Sequence, residues 1–222
     1  MNVTIPHKEN VIKYLDHVEE VSLKIGAINT IKNENGYLIG RNTDAIAARK
    51  SLIDAGCQIS GKRMVILGAG GVSRALCFIL AEEASEIILV DVIEERAKNL
   101  AEEVKKKMDA NIIGKISSNE LISKELKTSD ILINATPLGM YPKIDITPIP
   151  KEYLHPDLFI FDVVYNPLNT RLMKDAQEIG CKTLGGLNML VNQGVLAFQW
   201  WTEKTPNSDL MKQSIIDFLG IV

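Results

Sequence analysis

The chain is poor in the residues that build disulfide frameworks and metal centres. Its 222 residues include only three cysteines (Cys57, Cys77 and Cys181) and three histidines, all widely separated. Their spacing is that of neither a disulfide-stapled domain nor a zinc site. We therefore expect no bound metal. Cys77 lies in an apolar helical run and is expected in the core, where free cysteines are usually found.

Strong net charge and long apolar runs are also lacking. The formal net charge is −3, and no apolar run reaches the roughly 18 residues that span a bilayer. The start of the chain does not have the basic-then-apolar layout of a secretory signal. These features predict a cytoplasmic enzyme with no nucleic-acid or membrane partner.

Short apolar runs alternate with helical patterns from Lys62 onward. Strands are expected at residues 64–67, 87–90, 111–116, 131–134 and 158–164, with a short one near Thr183. Helical spacing is clear at residues 73–84 and 97–108. Continuous apolar strands separated by helices indicate a parallel sheet covered on both faces. The pattern predicts an α/β fold, with a Rossmann-like doubly wound sheet at residues 59–187.

Residues 1–58 have a different pattern. We expect a strand at the start, a helix at residues 8–15, a strand pair between residues 30 and 40 that turns at residues 33–36, and a helix at residues 44–55. This set is thin for an independent core. Residues 188–222 read as helical and begin apolar on nearly every face, with Trp200 and Trp201 as contacts between domains. They should pack on residues 1–58 and complete a smaller, incomplete N-terminal α/β substrate domain.

A glycine-rich turn follows the first strand of the predicted parallel sheet. Gly68-Ala69-Gly70-Gly71-Val72 opens the next helix, where a dinucleotide fingerprint belongs. The helix N-terminus offers N–H groups and a favourable dipole to a pyrophosphate. Ser73 stands where a third glycine is usual, so a plain strand-to-helix turn remains an alternative.

Asp91 ends the next strand, about twenty residues after the turn. A carboxylate at this place can accept hydrogen bonds from both ribose hydroxyls of an adenosine, and it would repel a 2′-phosphate. No arginine follows directly, and Arg96 lies one helical turn further on. The sequence thus predicts a preference for NAD, with NADP possible. A helix-capping carboxylate is the alternative reading of Asp91.

Lys8 follows a proline-braced segment, Asn2 to His7. A lysine can move a proton during catalysis when burial or a neighbour tunes it, and such a group contributes about 10²–10⁴-fold to the rate. For an isolated lysine, a solvated side chain is the more common situation.

Seven segments occur together in one order, and with them the chain resembles the shikimate dehydrogenases, including the quinate/shikimate dehydrogenases. They are residues 2–8 (NVTIPHK), 26–30 (GAINT), 40–44 (GRNTD), 68–75 (GAGGVSRA), 134–140 (NATPLGM), 162–167 (DVVYNP) and 189–194 (MLVNQG). The resemblance covers essentially the whole chain. It implies reversible reduction of 3-dehydroshikimate to shikimate with a nicotinamide cofactor, a step of aromatic amino-acid biosynthesis.

The resemblance also implies roles for individual residues. Lys8 becomes the catalytic group with Asp44 as its partner, and the substrate contacts are Thr4, Asn29, Asp44, Tyr165 and Gln193. The residues expected to bind the pyrophosphate are Gly68, Ala69, Gly70, Gly71 and Val72. Asp91 and Arg96 are expected to bind the adenosine ribose, and Val163 and Gly186 to contact the nicotinamide.

One departure concerns the front of the chain. Members of the family carry two strands with their helices, and a substrate-binding Ser-x-Ser segment, ahead of the Asn-Val-Thr segment; here Met1 directly precedes Asn2. We expect an exposed sheet edge that invites a homodimer, and weak binding of shikimate. Two alternatives stay open: a catalytically impaired nucleotide-binding module, and a dehydrogenase for quinate or a related hydroxylated ring acid.

Overall fold

The structure is a computed structural model that describes residues 1–4 and 6–220. It contains two sheets. The smaller is made of β1 (His17–Val18), β2 (Thr30–Glu34) and β3 (Tyr37–Arg41), in the order β1-β3-β2. β1 runs parallel to β3, whereas β2 and β3 form an antiparallel hairpin. Asn2 bridges Thr30 on the outer side of β2.

The hairpin confirms the predicted strand pair and its turn. Asn35 and Gly36, between the two strands, both have positive φ, 54° and 95°. Two successive residues with positive φ form the tight hairpin turn that asparagine and glycine favour. The Asn33 side chain also accepts a hydrogen bond from the Gly36 N–H, at 2.7 Å.

The larger sheet has six parallel strands in the order β6-β5-β4-β7-β8-β9. They are β4 (Arg63–Leu67), β5 (Glu86–Asp91), β6 (Ile112–Ile116), β7 (Ile131–Asn134), β8 (Phe159–Asp162) and β9 (Lys182–Gly185). This confirms the predicted fold class. The strand expected at residues 158–164 is shorter, because the Asp162 side chain draws the Val164 N–H into a turn, at 3.1 Å.

Helices cover both faces of the larger sheet. They are α3 (Gly71–Leu80), α4 (Glu94–Met108), α5 (Asn119–Leu126) and α6 (Arg171–Ile179). Alternate residues of β4 enter opposite cores: Met64 and Ile66 join one, and Val65 and Leu67 the other. Because successive strand side chains point to opposite faces, a run of continuous apolar residues supplies both cores.

Four further helices belong to the smaller part of the molecule: α1 (Glu20–Ile25), α2 (Thr43–Asp54), α7 (Gly186–Thr202) and α8 (Ser208–Leu219). α7 packs along α2 and reaches β2, as its apolar faces predict. The Trp201 indole donates to the Ile31 carbonyl at 3.0 Å, and the Arg41 guanidinium lies over the Trp200 ring. The helix expected at residues 188–222 is interrupted at Glu203, which has φ 61°; its last two positions lie outside the described residues.

The first 25 residues differ most from expectation. In place of a helix at residues 8–15 there is a short 3-10 helix, Asn10–Tyr14, and β1 and α1 were not predicted. The chain straightens after Tyr14 because its backbone pairs with β3: the Asp16 N–H donates to the Leu38 carbonyl, at 2.9 Å. No described helix is long and apolar enough to cross a membrane.

Candidate active site

A cavity of about 350 Å³ lies where the two parts of the molecule meet. It is lined by every residue expected to serve catalysis or substrate binding: Lys8, Asp44, Thr4, Asn29, Tyr165 and Gln193. Val72, Val163 and Gly186, expected to contact the cofactor, line the same space. The structure adds Asn2, Val3, Met189 and Leu190. These four belong to the quoted segments 2–8 and 189–194, to which the resemblance brought no individual role for them.

Lys8 and Asp44 form the only described ion pair in this cavity. The Lys8 Nζ lies 2.7 Å from the Asp44 Oδ2, with 18% and 14% of the two side chains exposed. Asp44 sits in the first turn of α2, where the helix dipole favours a carboxylate, and the Asn42 side chain caps that turn. The Lys8 carbonyl accepts from the Ile28 N–H at 2.8 Å. Both partners are therefore anchored through the backbone.

Asn29 is nearly buried, and its amide is held by its neighbours. Its oxygen accepts from the Thr43 N–H at 2.7 Å, and its nitrogen donates to the Thr43 hydroxyl at 3.0 Å. The Thr30 hydroxyl donates to the same oxygen, at 3.1 Å. These bonds fix the orientation of the amide at the cavity wall. The Gln193 nitrogen donates to the Leu190 carbonyl of its own helix, at 3.1 Å.

The far wall of the cavity comes from the carboxyl end of β8 and the start of α7. A Cβ atom added at Gly186 would lie 2.0 Å from the Val163 carbonyl oxygen. Only glycine allows this close approach, which brings Val163 and the first turn of α7 to one wall. Tyr165 follows Val163 and is 39% exposed at the cavity rim.

The glycine-rich turn has the shape of a phosphate cradle. Gly68 has φ 94°, a left-handed conformation that glycine adopts without strain. A Cβ added at Gly70 or Gly71 would meet no atom within 4 Å, so the protein itself does not require glycine there. α3 begins at Gly71 without a side-chain cap, and the structure shows no acceptor for the N–H groups of Gly71 and Val72 within the described residues. An open cradle with free donors fits a pyrophosphate.

A second cavity, of about 410 Å³, adjoins this turn. Gly68, Ala69, Gly70, Asp91 and Arg96 line it, as expected, and the structure adds Ser117, Ile122, Thr136, Pro137, Leu138 and Pro148. Arg96 is the cationic residue of this lining. Ser117 and Pro148 carry no signal in the sequence, because only tertiary packing brings them here.

Both carboxylate oxygens of Asp91 are already engaged. Oδ2 accepts from the Ala69 N–H at 2.7 Å, and Oδ1 accepts from the Ile93 N–H at 2.8 Å. The side chain thus braces the glycine-rich turn and caps the turn that leads into α4. Among the described residues, no group of three or more His, Cys, Asp and Glu side chains is arranged to hold a metal ion.

Comparison with known protein families matches three parts of the chain. Residues 1–31 match the shikimate dehydrogenase substrate-binding domain, residues 48–164 the shikimate/quinate 5-dehydrogenase model, and residues 186–216 the shikimate 5′-dehydrogenase C-terminal domain. The chain belongs to the shikimate dehydrogenase family. The expected family and its nicotinamide-dependent oxidoreductase class are confirmed.

Individual relatives agree across nearly the whole chain. A shikimate dehydrogenase (NADP(+)) of Methanocaldococcus jannaschii is 45% identical over 97% of this chain and 76% of the relative. A crystal structure of a shikimate dehydrogenase with NADP+ has a TM-score of 0.90 and 44% identity, over 97% of this chain and 75% of that one. The Listeria monocytogenes enzyme, solved with shikimate and NAD, has a TM-score of 0.89 and 37% identity, over 96% and 76%.

The predicted preference for NAD is wrong. The M. jannaschii enzyme and other relatives that are about as similar are named NADP(+)-dependent, and one of the best-matching structures holds NADP+. The prediction rested on the Asp91 carboxylate, which would repel a 2′-phosphate, and on the lack of an arginine directly after it. In the structure that carboxylate accepts hydrogen bonds from the backbone of two turns, so its presence alone does not indicate that it binds ribose hydroxyls.

Proposed function

We propose that this member of the shikimate dehydrogenase family reduces 3-dehydroshikimate to shikimate, reversibly and with NADP(H), in the cavity that holds Lys8 and Asp44. The observation that carries the proposal is the Lys8–Asp44 pair, at 2.7 Å, within the same cavity as Val163 and Gly186 and next to an open phosphate cradle. Proton-transfer and hydride-transfer partners are thereby brought to one space.

Reduction of the ketone adds a hydride to the carbonyl carbon and a proton to its oxygen. NADPH, when bound, supplies the hydride. The Lys8 ammonium is the proton donor, and in the oxidative direction the amine takes the proton back. Asp44 accepts a charge-assisted hydrogen bond from Nζ and so holds the ammonium in one orientation.

The polar groups around Lys8 and Asp44 bind the ring hydroxyls of the substrate. Thr4, Asn29, Tyr165 and Gln193 line the cavity with hydroxyl and amide groups. The bonds from Thr30 and Thr43 hold the Asn29 amide in a fixed orientation, so little side-chain freedom is lost on binding.

For the cofactor, Gly68, Ala69, Gly70, Gly71 and Val72 hold the pyrophosphate, and Val163 and Gly186 lie beside the nicotinamide. Arg96 binds the 2′-phosphate as the cation of the second cavity, while Asp91 acts indirectly by bracing the turn. In this assignment residues 59–187 are the dinucleotide-binding domain, and residues 1–58 with 188–222 the substrate domain.

Initial rates with shikimate or quinate, each with NADP+ or NAD+, test the proposal. We expect turnover with shikimate and NADP+ to exceed the other three combinations. A higher kcat/KM with quinate would reassign the substrate. Binding of NADP+ by calorimetry, without turnover of either acid, would instead identify a nucleotide-binding module.

A homodimer is also proposed, through the outer side of the segment that begins at Met1. The Met1 backbone pairs with Ile31 of β2, and the Val3 N–H donates to the Asn29 carbonyl just before that strand. The Asn2 and Thr4 N–H groups have no acceptor in the part of the chain that the structure describes. An edge of this kind can pair with a second copy. Light scattering across a concentration series would reveal the dimer, and a constant monomer mass would rule it out.

A further inference from the structure

Three polar side chains, Asn134, Asp162 and Thr170, are completely buried beside the carboxyl ends of β7 and β8. The Asn134 nitrogen donates to Asp162 Oδ1 at 3.0 Å, and the Thr170 hydroxyl donates to Asp162 Oδ2 at 2.7 Å. We call this set the strand-end cluster. It joins the end of β7, the end of β8 and the N-cap of α6.

The cluster holds two turns. The Asn134 side-chain amide stabilises the turn after β7 with three hydrogen bonds. Its oxygen accepts from the Thr136 N–H at 3.1 Å and from the Thr136 hydroxyl at 2.6 Å, and its nitrogen donates to the Leu138 carbonyl at 3.3 Å. The turn after β8 is held by Asp162 Oδ1, which accepts from the Val164 N–H at 3.1 Å. The Asn134–Asp162 bond therefore couples the two turns.

These turns form walls of both cavities. Thr136 and Leu138 line the cavity next to the glycine-rich turn, whereas Val163 lines the cavity that contains Lys8. The cluster thus lies beneath the boundary between the two spaces.

Strand pairing does not require these side chains. Backbone bonds already set the β7–β8 register from Ile131–Phe159 to Asn134–Asp162. A carboxylate is costly to bury, and burial raises the pKa of Asp162 against the hydrogen bonds that lower it. No cation pairs with Asp162 among the described residues. An apolar side chain would fill such a core more cheaply, so the polar cluster needs another reason.

We propose that Asp162 is a positioning residue for hydride transfer, which holds the turns after β7 and β8 in the relative position that the nicotinamide and the substrate require. This role rests on the proposed function. The carboxylate does not contact either reactant; it acts through its hydrogen bonds with Asn134 and the Val164 N–H.

Two matched pairs of variants test the role. Asp162→Ala removes the acceptor, whereas Asp162→Asn keeps an oxygen toward Asn134 and Val164 and turns an amide toward the Thr170 hydroxyl. Thr170→Val removes one donor, and Thr170→Ser keeps it; this pair carries the test if Asp162→Ala does not fold.

For Asp162→Ala we expect kcat to fall about 10–100-fold, because misplacement by about 1 Å costs that much. The KM for shikimate and the calorimetric Kd for NADP+ should stay within about threefold, since the Asp162 side chain itself contacts neither ligand. In the reductive direction, NADPH that carries deuterium at the transferred position gives the primary isotope effect on kcat. This isotope effect should be larger in Asp162→Ala than in the wild type. Asp162→Asn and Thr170→Ser should resemble the wild type.

Hydrogen–deuterium exchange on the cofactor-free protein gives an independent measurement. The Thr136 and Val164 amides should exchange faster in Asp162→Ala than in Asp162→Asn. Unchanged exchange, an unchanged kcat, or an Asp162→Asn variant as impaired as Asp162→Ala would each overturn the positioning role. If the wild type does not turn over shikimate, the proposed function fails, and the exchange arm still decides whether the cluster holds the turns.

Discussion

Replacement of Lys8 by Met is the sharpest perturbation of the candidate active site. Methionine keeps an apolar stem of similar length and removes the ammonium, so the proton donor is lost while the cavity wall is retained. Asp44, with its side chain 14% exposed, loses its charged partner at 2.7 Å.

Two magnitudes follow. A positioned proton donor contributes about 10²–10⁴-fold to the rate, which is about 2.7–5.5 kcal/mol of barrier. A hydrogen bond to a charged group contributes about 1.5–3 kcal/mol to stability. The Lys8 and Asp44 side chains are partly exposed to solvent, so we use the lower end of this range. For a chain of this size, roughly 1.5 kcal/mol lowers Tm by about 3–6 °C.

The assay is the kcat of NADPH-dependent ketone reduction, measured beside NADP+ affinity and Tm. We expect kcat to fall at least about a hundredfold with NADP+ affinity unchanged. Lys13→Met is the matched control, because Lys13 is exposed on the 3-10 helix and should tolerate the change. A Lys8→Met enzyme whose kcat stays within about tenfold of the wild type would refute proton transfer by Lys8.

Arg96→Gln should raise the calorimetric Kd for NADP+ at least about tenfold and leave that for NAD+ unchanged, since only NADP+ carries the 2′-phosphate; equal losses would contradict the assignment. Gly70→Ala should weaken NADP+ binding without lowering Tm, because the added methyl enters open space; unchanged binding would show that no phosphate approaches there. Burial raises the pKa of Glu125, but hydrogen bonds from Lys115 and Arg63 outweigh it and lower the net value. Its stabilising contribution is therefore present above the usual glutamate pKa, about 4.3, and is lost as the pH falls through the lower folded value. The Tm difference between the wild type and Glu125→Gln should be largest at neutral pH and shrink below about pH 4; a difference that grows with acidification would contradict the sign.

The parallel sheet was predictable because its signal is local. A strand buried on both faces must be apolar at successive positions, and residues 64–67 and 131–133 show this without reference to the rest of the chain. The hairpin was predictable for a similar reason, since Asn35-Gly36 favours positive φ at both central positions.

Elements held by distant partners were not predictable in this way. β1 is two residues long and exists because it pairs with β3. The inference from Asp91 to a preference for NAD failed for a related reason. An aspartate at a strand end is compatible with ribose binding and with turn bracing, and its hydrogen bond with the Ala69 N–H is visible only in the structure.

Local sequence patterns were enough to predict the alternation of strands and helices, the glycine-rich turn and the segments that place the chain in its family. Each depends on neighbours within a few residues. The family resemblance already implied that Lys8 pairs with Asp44, and the structure gives that pair its contact across 36 residues. Only the structure shows that Asn134, Asp162 and Thr170 share one buried cluster. Such contacts arise where separate elements converge, and their geometry follows from the packing of the whole chain.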